Sequence, residues 1–461
     1  MRFVLPLVAL SSVLTGLPVM AAPEPDPRAA ALALDILKRS ITFRTQEGAG
    51  QIPAYAAWLK SVLVEGGFPA ESITFTPLGE TGYLMMTWAG SDPAKKPIVY
   101  SGHMDVVAAD PKDWQRDPYV PVIEGGYLYG RGAQDDKFDT SVAIAALIQL
   151  RKAGFTPSRS IILALSGDEE TEMATTAALA EKLRGAEMVL NGDGGGGTYS
   201  EDGKPQVYSL EGAEKTYADF RFTVTNPGGH SSRPTRDNAI YALARIIDRI
   251  AAYQFPPQQN DFTRAYFAMM GARTPGPLGA AMKRFAANVN DAEAAELLSG
   301  EAEYVGKVRT TCVATMLSGG HALNALPQKA ALSVNCRIFP GTKVEDVQAK
   351  LAEIAADSKA SLTLINKPVA SPPSPMRADV MDAVRRAVDR RFPGLPIIPS
   401  QASGASDNMY YRRAGIPSYA LGALFTKPSD ERAHGLDERV PVGEVPAGVR
   451  YWVSLFGDLA R

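Results

Sequence analysis

Apolar residues in the first half of the chain arrive in two alternating rhythms. Residues 29–39 and 54–66 repeat at the three-to-four spacing of an amphipathic helix, and residues 140–153 also read as a helix. Among them fall short apolar runs at 83–89, 97–100 and 160–165, each of strand length. This alternation predicts an α/β layer architecture with a largely parallel sheet, whose ligands bind beyond the carboxyl ends of the strands. After residue 213 the order changes. A strand at 216–225, a helix at 236–252, strands at 310–317 and 331–339, a helix at 344–357 and a strand at 361–366 spell β-α-β-β-α-β, the ferredoxin-like arrangement. Residues 254–307 add a mostly helical elaboration, broken at Thr274-Pro275-Gly276-Pro277. Beyond the connector Ser371-Pro372-Pro373-Ser374-Pro375, a helix at 378–391 and further strand-like runs restore the first pattern. The predicted organisation is an α/β domain of residues 22–213 and 369–461, interrupted by an α+β insert of residues 214–368.

Length and charge narrow the picture. A chain of 461 residues can bury a large core, and a net charge of −2 with interspersed signs gives nucleic acid nothing to bind. At the amino end, Arg2, an apolar stretch from Phe3 to Leu17, Pro18 and the small-residue site at Val19-Met20-Ala21 read as a secretory signal peptide of residues 1–21. The expected location is periplasmic or secreted; an uncleaved membrane anchor is the competing reading. No cysteine follows the apolar run, which excludes lipid attachment there. Export matters for Cys312 and Cys336, each in a β-like run that could pair with the other. At this level a disulfide and two buried thiols both stand, and the spacing does not suit a metal site.

The candidate chemistry lies in the histidines, of which the chain has four. His103, in Ser101-Gly102-His103-Met104-Asp105, directly follows an apolar run, and His434 stands in Arg432-Ala433-His434-Gly435. Between them come Gly130-Arg131-Gly132-Ala133-Gln134-Asp135-Asp136-Lys137, Ser166-Gly167-Asp168-Glu169-Glu170 and Asn191-Gly192-Asp193. Imidazoles and carboxylates placed just past strands supply the mixed nitrogen and oxygen ligands that zinc accepts, in numbers sufficient for a pair of ions. A Glu-Glu pair alone would read as a solvated charge cluster. The glycines at 192–197 lack the Gly-Lys-Ser/Thr ending of a phosphate loop and instead allow a close approach of Asp193. His321 reads as a loop residue.

Taken in order, His-x-Asp, Gly-Arg-Gly-x-x-Asp-Asp-Lys, Asp-Glu-Glu, a later acid and a late His resemble the dizinc aminoacylase and carboxypeptidase family of metallopeptidases. Glutamate carboxypeptidase, aminoacylase, carnosinase-type dipeptidases and succinyl-diaminopimelate desuccinylase belong to it. The resemblance implies a zinc-peptidase catalytic domain with a mostly parallel sheet, and an insert acting as a ferredoxin-like lid and dimerisation domain. It implies two Zn2+, with Co2+ or Mn2+ as substitutes. His103 and Asp193 would hold one ion, Glu170 and His434 the other, and Asp135 would bridge them through a loop with a cis bond to Asp136. Asp105 is implied as the carboxylate that fixes the His103 tautomer, and Glu169 as the general base. His230, in Asn226-Pro227-Gly228-Gly229-His230-Ser231, is implied to stabilise the oxyanion in the active site of a dimer partner. Asn324 and Arg337 resemble binders of the substrate carboxylate. Ser406, in Ser403-Gly404-Ala405-Ser406-Asp407, resembles a loop near the substrate, with an ordinary turn as its rival. The implied activity is hydrolysis of an amide next to a free carboxylate, as in a carboxypeptidase or dipeptidase, on a small peptide or N-acyl amino acid. A strict N-acyl amino acid deacylase is the nearest alternative. A non-catalytic periplasmic binding protein is more remote, because it would not need Glu169. One departure stands out: Phe138-Asp139 follows the motif lysine where the family often has glycine.

Overall fold

The computed structural model describes residues 26–357 and 359–461. The segment read as a signal peptide lies outside the described residues, among which no helix is long and apolar enough to cross a membrane. A ten-stranded sheet forms the centre. Strand Ile98–His103 runs parallel to Ile161–Ser166 on one side and to Met188–Asn191 on the other, and Ser418–Ala420 continues the parallel set. Antiparallel strands Thr81–Trp88 and Ile73–Leu78 close one edge. Alternate residues of the central strands enter opposite layers. Ile98, Tyr100, Ile161, Leu163, Met188 and Leu190 pack under helices Pro27–Ile41, Lys137–Lys152 and Glu444–Leu459, whereas Val99, Ile162, Ala164 and Val189 meet helix Ala174–Lys182 and Tyr411 on the other face. Burial on both faces explains why these strands read as continuous apolar runs. Helix Lys137–Lys152 is buried from Lys137 through Leu150, enclosed by the sheet and two neighbouring helices.

The second sheet has four antiparallel strands in the order Thr311–Gly319, Lys329–Ile338, Thr216–Thr225, Ala360–Leu364. Its connectivity is the β-α-β-β-α-β pattern read from the sequence. Ala218, Phe220, Phe222 and Val224 point to one face and pack against helices Ala239–Ala252 and Val344–Ala355. Asn238 caps the first of these helices by accepting from the backbone N–H groups of Ile240 and Tyr241, so it starts a turn later than the periodicity suggests. The helical elaboration between the sheets rests on the large sheet: Tyr266, Phe267, Met282 and Phe285 cluster with Ile398, and the Phe262 ring occupies the space a side chain at Gly212 would need. Cys312 and Cys336 lie directly opposite each other with Cα atoms 4.1 Å apart and form a disulfide, which removes the buried-thiol alternative.

Candidate metal centre

Parallel strands end together, and their ends deliver the site. His103 is the last residue of its strand and is opposite Ser166, the last of the next; Asn191 ends the third. Each is followed by a loop carrying an acid. At Gly192 a side chain would collide with the Tyr100 hydroxyl at 2.5 Å, so glycine is what lets this loop pass close enough to present Asp193. Asp135 comes from the turn before helix Lys137–Lys152, and the Asp135–Asp136 peptide bond is cis. The motif lysine, Lys137, is fully buried and donates to the carbonyls of Ser40 and Phe43 at 3.0 and 3.3 Å, tying that helix to the end of Pro27–Ile41.

Asp135 stands between two histidines. Its Oδ1 lies 2.8 Å from His103 Nε2 and its Oδ2 lies 3.0 Å from His434 Nε2. His434 Nε2 is also 2.9 Å from Glu170 Oε1. Ligand atoms of His103, Asp135 and Glu170 fall within 4.8 Å of one another, and so do those of His103, Glu169 and Asp193. So many carboxylates demand positive charge. Hydrogen bonds to Asp135 and Glu170 push the His434 imidazole up to about 10. Burial works against the charge on Asp135, yet the two imidazoles outweigh it and hold that carboxyl well below its ordinary range. Divalent cations answer the same demand, and the donor set of imidazole and carboxylate suits them. Glu169 is the contrasting group: burial first, then the Asp193 charge, raises its carboxyl well above the usual range, with His103 opposing.

Asp105 stands against His103 and also shapes the neighbouring turn. His103 Nδ1 meets the backbone carbonyl of Asp105 at 3.1 Å, while the Asp105 carboxylate lies 3.6 Å away, beyond a good hydrogen bond. That carboxylate also accepts the backbone N–H groups of Glu169 and Glu170 at 3.1 and 2.9 Å, shaping the turn that carries both. Farther along the chain, His230 is exposed and opposes Ala325 in a two-residue ribbon, and the N–H of Ser231 donates to the Asn324 carbonyl, so His230 and Asn324 are neighbours. Arg337 is half-buried and stacks over Tyr217 at 4.6 Å, with no carboxylate partner among the described residues. Ser406 is engaged within the chain: its hydroxyl donates to Glu214 at 3.0 Å and accepts from Asn408 at 2.8 Å. The adjacent Asp407, buried and raised to about 6 by that burial, accepts from Ser166 at 2.7 Å at the end of a central strand. His321 is an exposed loop residue, as read.

Sequence reasoning gave no role to Arg131 and passed over Glu438, which form a buried ion pair beside Asp135. Arg131 sits within a quoted motif, but an acid in Leu436-Asp437-Glu438-Arg439 looks like any solvated charge.

Convergent imidazoles and carboxylates at the carboxyl ends of a parallel sheet mark a metal-dependent hydrolase. Residues 99–458 match the profile of peptidase family M20/M25/M40, and the chain belongs to that metallopeptidase family. It is 25% identical over 396 residues to a probable carboxypeptidase S-like 2 of Dictyostelium discoideum, covering 82% of this chain and 74% of the relative. It is likewise 25% identical over 384 residues to the N-fatty-acyl-amino acid synthase/hydrolase PM20D1 of Homo sapiens, covering 80% and 76%. The crystal structure of the M20 family metallo-carboxypeptidase Sso-CP2 from Sulfolobus solfataricus superposes with a TM-score of 0.66 over 94% of this chain and 99% of that one, at 19% identity.

Proposed function

We propose that this chain is an exported dizinc hydrolase that cleaves an amide bond next to a free carboxylate, in the manner of a carboxypeptidase or dipeptidase. Asp135 carries most of the weight, because its two oxygens face different histidines and one side chain can thus serve two ions. In this reading His103, Asp193 and Asp135 hold one zinc, and Asp135, Glu170 and His434 the other; cobalt or manganese would suit the same donors. Bound ions would polarise the scissile carbonyl and make water nucleophilic at neutral pH. Glu169 takes a proton from the attacking water and returns it to the departing nitrogen, so the amine leaves neutral. Arg337, free of carboxylate partners among the described residues, grips the substrate carboxylate in bidentate fashion, and Asn324, which lies with His230 towards the opposite end of strand Lys329–Ile338, contacts the substrate from the side of His230.

His230 donates to the developing oxyanion and arrives from a second copy of the chain. The small sheet supports such a homodimer. Its edge strand Thr311–Gly319 exposes Val313, Met316 and Leu317, and the neighbouring helix adds exposed Ile240 and Tyr241. An unpaired apolar edge of this kind invites pairing with its own copy.

A strict N-acyl amino acid deacylase is the second reading, favoured by the likeness to a protein named as an N-fatty-acyl-amino acid hydrolase. Metal analysis and a substrate panel on the mature protein test both. About two ions per chain are expected after zinc loading, with amino acid release from dipeptides. No bound ions, or full activity after exhaustive chelation, would overturn the metal mechanism. Release from N-acyl substrates alone would transfer the assignment to the deacylase reading, and binding without turnover would leave a binding protein.

A further inference from the structure

We infer that the Arg131–Glu438 ion pair is a positioning device that clamps together the loops carrying Asp135 and His434, and that its arginine arm sets the affinity of the metal position of Glu170 and His434; this presupposes the two-metal centre proposed above. The pair is deeply buried, with side chains 4% and 0% exposed. An ion pair in such a place is costly unless every hydrogen-bonding valence is met, and an apolar pair of equal volume often stabilises a fold as well or better. A pair so placed therefore calls for a role beyond stability.

The geometry supplies one. Glu438 Oε2 accepts from Arg131 Nη1 at 2.6 Å and from the Gly132 N–H at 2.9 Å. Its Oε1 accepts the N–H groups of Gln134 and Asp135 at 2.7 and 3.2 Å. Three backbone amides thus converge on one carboxylate and fix the path of the chain up to Asp135. The other guanidinium arm works on the second loop: Arg131 Nη2 donates to the carbonyls of Gly435 and His434 at 3.1 and 3.4 Å. His434 needs such support, because its φ of 62° lies in the left-handed region that residues with side chains seldom adopt. Two more bonds close the seam, with Gly130 N–H donating to the Glu438 carbonyl at 3.0 Å and Arg432 N–H to the Gln134 side chain at 2.8 Å.

His103 and Asp193 stand outside this clamp, at the ends of central strands. The arm of Arg131 to residues 434 and 435 therefore acts on the position of Glu170 and His434 alone, whereas the amides held by Glu438 act through Asp135, which both positions share. Uneven loss of this kind separates positioning from a general loosening of the fold.

The test is zinc titration of the mature protein against a chromophoric chelator, with thermal unfolding in parallel, for wild type, Arg131→Lys and Glu438→Gln. Lysine keeps the buried charge pair and loses the arm to residues 434 and 435. Arg131→Lys should fold with a thermal midpoint near that of wild type and bind its first ion normally. Its second ion should bind about 10- to 100-fold more weakly, the usual effect of removing support behind a metal ligand. Glu438→Gln should weaken both ions, because it loosens Asp135, which serves both; if it fails to fold, Arg131→Lys decides alone. Two affinities unchanged in Arg131→Lys, or both weakened equally, would overturn the clamp and leave the two-metal centre standing. A wild-type protein that takes up no zinc would overturn the two-metal centre, and the clamp with it.

Discussion

Glu169 packs with His103 and Asp193, while Glu170, the next residue, reaches His434. Asp105 makes this division of labour feasible by accepting both of their backbone N–H groups, so the turn is rigid and its two carboxylates address different neighbours. If Glu169 is the proton shuttle, Glu169→Ala should keep its full complement of ions and lose turnover by a factor of about 10²–10⁴, the usual worth of a general base. Ion content and kcat measured on the same preparation check this, and an unchanged kcat would reassign the base. The same scale explains a shift of emphasis in the late loop. Ser406 spends its hydroxyl on Glu214 and Asn408, whereas Asp407 reaches Ser166 at the end of a central strand.

At the scale of elements, helix Lys137–Lys152 carries an acid in its first turn where the family often has glycine nearby. Phe138 beside it packs against Gly448, and Asp139 accepts from Trp452 Nε1 at 2.8 Å and from the Ala423 N–H at 2.7 Å, so helix Glu444–Leu459 accommodates both. Burial raises the Asp139 carboxyl to about 7, with those hydrogen bonds opposing. An unfolded aspartate titrates near 4. Between about pH 4 and 7 the folded state therefore holds the proton more tightly, and the stability this contributes is complete at low pH and lost as pH rises through 7. The adjacent Tyr100, Tyr208 and Tyr451 are all raised and stay neutral throughout. Asp139→Asn should remove the loss, so its thermal midpoint should gain on wild type from about pH 4 to 7 and hold a constant lead above that. Parallel pH profiles would refute this. Elements were legible where burial left a pattern. The runs at 97–100 and 160–165 lie under layers on both faces, and Thr216–Thr225 alternates strictly. Strand Pro205–Glu214 carries no clean pattern because exposed Gln206 and partly buried Ser209 and Glu211 mix with apolar residues, and the ribbon of Gly229–His230 with Ala325–Leu326 is too short for any period. Glu438 was invisible for another reason: the partner that makes it a buried group, Arg131, is 307 residues away.

For the molecule as a whole, the metal cluster belongs to the large sheet and the residues proposed to grip the substrate belong to the small one or its ribbon. His230→Ala should lower kcat much more than it raises KM, since an oxyanion donor acts mainly on the transition state. Co-expression with Glu169→Ala under different tags gives a mixed dimer in which one site has an intact Glu169 and a partner-supplied His230. That species should be more active than either parent; if it is not, or if a monomer is fully active, His230 works within its own chain or not at all. The edge strand on which such a dimer would form, Thr311–Gly319, is exposed from Val313 onward. Burial is what normally separates a strand pairing from its one-residue slip, because the slip turns every side chain to the other face. A strand with so little buried leaves that choice almost without energetic preference, and the Cys312–Cys336 bond makes it for Thr311 to Ala314, up to the bulge before Met316. Which face this end of the edge strand turns outward is thus recorded covalently, and oxidation is the step that writes it.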